Sequence, residues 1–243
     1  MKRPFFSVIT VTKNAGEGLK KTVDSVLKET FCDYEMIIKD GGSKDGSLDN
    51  IGSDERIKVV SSNDYSIYDA MNQAIKKAKG EYLLFLNAGD TLYSEGVFKR
   101  VKDFIESEKC DIIYGNCFTR GKILKQTDAI DKKYLTYVGG LCHQTMFIKR
   151  SVFGEIGDYD VSLRVCADYD ILFRAFSHGK TIKKIDEVNC NYLGGWFSES
   201  AEGIKACKKE GKIIRKRYLS RGEYARYKIT DIFGKLKRRV FGK

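Results

Sequence analysis

Residues 80–93 read GEYLLFLNAGDTLY, and the fold turns on how this stretch is read. Tyr82 to Leu86 form a short apolar run that stops abruptly at Asn87, Ala88, Gly89 and Asp90. A run of this length closed by turn residues has the pattern of a buried strand. Asp90 is then either a ligand group beyond the strand's carboxyl end or the polar cap of a following helix, and the local sequence allows both.

Upstream, the same rhythm repeats. Phe5 to Val11 are apolar and β-branched, and the following GEGLKKTVDSVLKE places Leu19, Val23, Val26 and Leu27 on one helical face. YEMIIKDG (34–41) and RIKVVSS (56–62) read as strands, and YDAMNQAIKKAKG (68–80) as a helix ending at Gly80. Such alternation predicts a parallel sheet with helices on both faces. Beyond Tyr93 a helix to about Glu108 leads into CDIIYGN. From Gly121 onward the rhythm loosens: GKILKQ, QTMFIKR and KTIKKIDEVNCNYL read as strands and ADYDILFRAFSHG as a helix ending at Gly179. No Pro- or Gly-rich linker divides the two halves, which predicts one continuous domain of two lobes.

At 243 residues and 42% hydrophobic the chain can bury a substantial core. No run approaches the roughly 18 apolar residues of a membrane span, and the N-terminus turns polar too soon for a signal peptide. The expected location is cytoplasmic. Seven cysteines, an odd number with no C-x-x-C pair, are expected to be reduced and mostly buried. The net charge of +11 is uneven, since Ile204 to Lys243 holds 15 Lys or Arg against 3 Asp or Glu and the remainder is near neutral. A basic tail of this kind seeks an anionic surface, and its interleaved apolar residues favour a membrane over nucleic acid for the last stretch, DIFGKLKRRVFGK. Ile204 to Tyr227 is equally consistent with a charged helix packed on the body of the protein.

In open α/β sheets ligands sit beyond the carboxyl ends of the strands. Four such ends here are polar: TKN, DGGSKDGS, SSNDYSIYDAMN and NAGD. Asp40 could accept the N3 proton of uracil or close an Asx turn with the glycines after it. Asp64 and Asn72 are each ligand groups or helix-cap and surface residues. There is no phosphate-loop, zinc-protease or serine-hydrolase motif, and only His143 and His178 are available, so acid–base work falls to carboxylates. The densest set in the second half is Asp158, Asp160, Asp168 and Asp170.

The series FSVITVTKN, SVLKETF, YEMIIKDGGSKDGS, YSIYDAMNQAIKKAKGEYLLFLNAGD and GDYDVSLRVCADYDILFR resembles glycosyltransferase family 2, inverting sugar transferases of GT-A fold, in order from residue 5 to about 197. IYDAMNQAI and LNAGD resemble the members that build bacterial capsule, exopolysaccharide and lipopolysaccharide. The resemblance implies a nucleotide-sugar lobe over residues 1–117, an acceptor lobe over 118–203 and a separate basic tail over 204–243. It places Val11 and Lys13 along the nucleotide base, Asp40 on uracil, and Asp64, Asn72 and Asn87 in the donor pocket. The family's metal motif of two or three aspartates falls on Asn87 to Asp90, leaving Asp90 as the sole carboxylate for Mg2+ or Mn2+. The general base aligns with Asp168, whose competing reading is the N-cap of its helix. Ala167 stands where the family often has Glu, a departure that Asp170 could make good. His143, Gln144 and Trp196, the only tryptophan, are acceptor-side candidates. The implied reaction moves a sugar from a UDP-linked donor to a lipid-linked saccharide at the inner membrane face. The rival reading is a nucleotide-sugar-binding protein with weakened catalysis.

Overall fold

Four runs pair as parallel strands along one side of a nine-stranded sheet. The computed structural model describes residues 3–195 and 197–241, with side chains described to residue 232. In chain order the elements are β1 (Phe6–Thr12), α1 (Glu17–Leu27), β2 (Tyr34–Asp40), β3 (Ile57–Ser61), α2 (Ile67–Ile75), β4 (Tyr82–Phe85), β5 (Thr91–Leu92), α3 (Val97–Glu108), β6 (Ile112–Thr119) and β7 (Lys122–Leu124). They continue with α4 (Lys132–Tyr137), β8 (Met146–Lys149), α5 (Arg150–Ile156), α6 (Ala167–Ser177), β9 (Ile182–Asn191), α7 (Ala201–Tyr218) and α8 (Arg221–Phe241). The strand order is β3-β2-β1-β4-β8-β6-β9-β5, with β7 on the flank of β6. β1 to β4 are parallel, and β8 enters antiparallel between β4 and β6.

Successive side chains of β1 feed opposite faces, as the two-residue period of a strand demands. Phe6 and Val8 join the core beneath α1 and α3, while Ile9 and Val11 join the core beneath α2, α5 and α6. Each large side chain fully removed from water contributes about 1.5–3 kcal/mol, so both faces are held strongly. The order reverses at β1, whose neighbours β2 and β4 lie on opposite sides, and the crevice beyond such a reversal is where ligands of open α/β sheets bind.

Two expectations change. The second helix ends at Ile75, and Gly80 is not its cap: a Cβ there would lie 2.4 Å from the Ser7 amide, so glycine is needed for close packing against β1. The tail does not begin as a separate unit at residue 204. α7 starts at Ala201 and drives Ile214, with Leu219 just beyond its end, into the core shared with α6. The cysteines are free, with Cys110, Cys117, Cys166 and Cys190 buried and Cys32 and Cys207 exposed.

Candidate active site

The ends of β1, β2 and β3 converge. Lys13 is exposed just past β1, and a Cβ on Gly41 would meet Asp64 Oδ2 at 2.6 Å and Lys13 Cδ at 3.4 Å, which places the three side by side. Val11 lies in the apolar wall beneath them. Asp40 forms the Asx turn, accepting from the Gly42 amide at 3.0 Å and the Ser43 amide at 3.1 Å, and the φ of +85° at Gly42 requires glycine. Burial pushes the Asp40 carboxyl up, but its hydrogen bonds from Ser43 and Gly42 outweigh this and hold it below the ordinary carboxylate value.

Lys39, overlooked in the sequence, holds this end together. Its side chain is wholly buried, and its ammonium donates to Ser62 O at 2.7 Å, Asp40 O at 3.1 Å and Asp64 Oδ2 at 3.1 Å. A cation inside the apolar run MIIKD was itself a signal, because a buried charge must find partners. Asn72, by contrast, is buried and bonded within the protein. Its amide donates to Tyr159 O at 2.9 Å and accepts from Tyr159 N at 3.0 Å, so it is a strut between α2 and the segment after α5.

The loop of Asn87 to Asp90 is shaped by α1. The Gly89 amide donates to Thr22 Oγ1 at 2.8 Å, Thr22 Oγ1 donates to Asp90 O at 2.7 Å, and Gly18 packs against Gly89. The φ of +108° at Gly89 accounts for glycine where the family pattern has a carboxylate. Asp90 is fully buried and turned inward: Oδ2 accepts from Gln144 Nε2 at 2.9 Å and Oδ1 from the Leu193 amide at 2.9 Å. It caps no helix. α3 begins at Val97, and Glu29 receives the Gly96 and Phe98 amides there.

Both Asp90 oxygens thus accept hydrogen bonds from the second half of the chain. Among the described residues no group of three His, Cys, Asp or Glu could hold a metal ion. Asp90 is thus the one carboxylate of this loop, and a divalent ion there would have to take most of its shell from donor phosphates and water.

Asp168 lies in the first turn of α6, two residues past the N-cap Cys166, and its Oδ1 accepts from the Tyr169 amide at 2.8 Å. Its partly exposed carboxylate faces a cavity of about 730 Å3 lined also by Asn87, His143 and Gln144. The His143 ring bridges the two lobes: Nε2 is 3.3 Å from Asn87 Nδ2 and Nδ1 is 3.5 Å from Asp168 Oδ2. Both contacts agree on the tautomer with the proton on Nδ1, in which the amide donates to the ring and the ring faces the carboxylate. The Tyr68 hydroxyl lies 3.4 Å from Asp168 Oδ1 while donating to Val165 O at 2.6 Å. Burial, and then the Asp168 charge, push the Tyr68 hydroxyl well above its ordinary value, so it stays a donor.

A carboxylate from α7 packs against the start of α6. Glu210 accepts from the Arg164, Val165 and Cys166 amides at 2.8 to 2.9 Å, filling the N-terminus of α6 with negative charge. Asp170 faces elsewhere, bound to Arg174 at 3.0 Å and Tyr218 at 3.0 Å, and is packing rather than an acceptor-side group. Gln144 lines the cavity but spends its amide on Asp90. Trp196 falls outside the described residues. Glu210 was hidden as a lone acid among cations, and nothing in the sequence near it pointed to α6.

The mostly parallel sheet, with a carboxylate facing a cleft near its strand ends, has the architecture expected of a GT-A fold. The family model "Glycosyl transferase family 2" matches residues 7–157, and the chain belongs to that family. It is 36% identical over 206 residues to a "PGL/p-HBAD biosynthesis glycosyltransferase" of Mycobacterium bovis, covering 80% of each chain. Among solved structures it is similar to S. aureus TarS 1-349 in complex with UDP-GlcNAc, with a TM-score of 0.71, 18% identity and coverage of 91% of this chain and 70% of that one. It is also similar to the mannosyltransferase PcManGT from Pyrobaculum calidifontis in complex with GDP-Man and Mn2+, with a TM-score of 0.64, 15% identity and coverage of 94% and 65%. These likenesses carry the fold. No helix among the described residues is long and apolar enough to cross a membrane.

Proposed function

We propose that this glycosyltransferase moves a sugar from a UDP-linked donor, with inversion at the anomeric carbon, to a hydroxyl of a lipid-linked saccharide in bacterial surface polysaccharide or glycolipid assembly. The observation that carries it is Asp168, a carboxylate facing the cavity opposite Asn87, with the His143 ring beside its Oδ2 and the Tyr169 amide donating to its Oδ1. Inversion needs one base, which takes the acceptor's proton as that oxygen attacks the face of the sugar opposite the departing nucleotide. Asp168 suits this task. The nucleotide lies over Val11 and Lys13, with Asp40 toward the base and Asp64 toward the ribose. UDP and UDP-GlcNAc in the TarS structures support a UDP donor.

A divalent ion is the family's usual companion to the diphosphate, and the Mn2+ with PcManGT supports it. Mg2+ or Mn2+ would arrive with the donor as a metal–nucleotide, since the described residues hold no group of three ligating side chains. The basic chain from α7 onward supports docking on an anionic membrane, with the enzyme peripheral at the cytoplasmic face; exposed Ile229 and Ile232 on α8 supply apolar contact. The committed Asp90 also favours a second reading, a donor-binding protein with weakened catalysis.

A thermal-shift screen of UDP-, GDP- and dTDP-sugars with and without Mn2+ identifies the donor, and transfer is then followed with Asp168→Asn. Loss of transfer with the donor's thermal shift retained is the expected result. Full activity in the variant removes Asp168 as base, and binding with no turnover in the wild type selects the second reading.

A further inference from the structure

Large apolar side chains are exposed at the mouth of the cavity that holds Asp168. Tyr65 is 98% exposed, Val161 55%, Leu124 48%, Ile67 39% and Phe197 36%, and all five line this one cleft. Deeper in, Leu141, Leu163, Val165 and Tyr192 continue the same wall. Scattered surface apolar residues need no explanation, but a contiguous apolar rim around a reactive carboxylate marks a ligand surface.

Several polar groups of this wall are engaged within the protein, and Asn87 Oδ1, buried without a hydrogen-bond partner, is left to meet a sugar hydroxyl beside the apolar rim. Gln144 is held by Asp90, and His143 lies between Asn87 and Asp168. Ser66 accepts from the Asp69 amide as the N-cap of α2. Arg164 is the single cation among the described lining residues; it pairs with Glu202 at 2.6 Å and lays its guanidinium over Phe197 at 4.1 Å. A phosphate linker would find no uncommitted positive charge on this wall. The cavity volume of about 730 Å3 falls within the roughly 300–1,000 Å3 that holds a ligand of drug size.

We infer that this wall is an aglycone subsite: the acceptor is a short glycoside whose uncharged aryl or alkyl group lies in the cleft beside the reacting hydroxyl. This rests on the transferase reading and sharpens it. The step then falls early in assembly, where the apolar carrier still reaches the active site, and not at the tip of a long polysaccharide.

The test compares methyl, octyl and p-nitrophenyl glycosides of several hexoses, the octyl compounds below their micelle concentration, on the full chain with UDP present. Each buried methylene strengthens binding roughly fourfold, so octyl and aryl glycosides should bind at least about tenfold more tightly than the methyl glycoside of the same sugar. Val161→Asp and Leu124→Asp, at exposed positions, should shrink that preference to about threefold or less while keeping the UDP-induced melting shift, which reports an intact fold. Equal binding of methyl and octyl compounds, a preference that survives both substitutions, or stronger binding of a prenyl-diphosphate-linked sugar overturns the inference. Aglycone-selective binding with no transfer from any nucleotide sugar defeats the transferase reading alone, whereas transfer indifferent to the aglycone defeats the subsite alone.

Discussion

Asp90→Ala separates two accounts of the loop that ends β4. Asp90 is wholly buried, and its removal leaves the Gln144 amide and the Leu193 N–H without their acceptors at 2.9 Å each. A buried donor left unsatisfied costs about 1–3 kcal/mol, so the pair costs roughly 4 kcal/mol. For a chain of this size each kcal/mol lowers the melting temperature by about 2–4 °C, which gives a drop of roughly 8–16 °C. The measurement is calorimetric melting without donor or metal. Asp90→Asn should lose less, about 1–2 kcal/mol, because the amide oxygen still accepts from Leu193 and only the Gln144 contact must rearrange. A metal ligand would behave otherwise: its loss would leave the apo melting point nearly unchanged, and Mn2+ alone would stabilise the wild type. Melting of Asp90→Ala within about 2 °C of wild type would refute the structural role.

Other outcomes follow from the same contacts. His143→Ala should lower kcat by roughly tenfold or more with little change in donor KM, because the ring orients Asp168 and does not hold the nucleotide; steady-state kinetics decide it, with partial rescue by His143→Asn. Lys39→Met breaks a buried pair and leaves Asp64 uncompensated at a cost of about 3–5 kcal/mol in urea unfolding, and adding Asp64→Leu should recover part of the loss. The carboxyl of Asp40 sits below its ordinary value when folded, so its stabilisation is present above the ordinary carboxylate range and disappears as pH falls through the folded value; Asp40→Asn should flatten the acid limb of stability against pH. The hydrogen bond from Cys166, whose sulfur is 3.0 Å away, draws the Cys207 thiol down to about 7, so iodoacetamide at neutral pH should label Cys207 ahead of Cys32, and Cys166→Ser should slow it, as read by mass spectrometry.

What could be read from the sequence was what neighbouring residues determine. Alternation and apolar runs located β1 to β4 and the helices between them, because burial on one or both faces imposes a period wherever the partner lies. The polar strand ends were legible for a similar reason, since position relative to a strand end is local information, whereas Asp168 was singled out only by the family resemblance and not by its neighbours. The departures have partners far away in the chain. Asp90 looks like a ligand or a cap until Gln144, 54 residues on, and Leu193, 103 residues on, take its two oxygens. Glu210 looks like a solvated acid until it meets amides 44 to 46 residues earlier and fixes the start of α6. Lys39 is the intermediate case, where an apolar strand announced a buried cation and only the fold could name Asp64 as its partner. The two long-range carboxylates share one consequence. Asp90 ties the end of β4 to residues 144 and 193, and Glu210 ties α7 to the start of α6, the helix that carries Asp168, so the surroundings of Asp168 depend on residues well beyond its own helix. A truncation before residue 210, made to remove the basic segment, should therefore cost activity through Asp168 even on a soluble acceptor, and a cut after Leu219 should spare it.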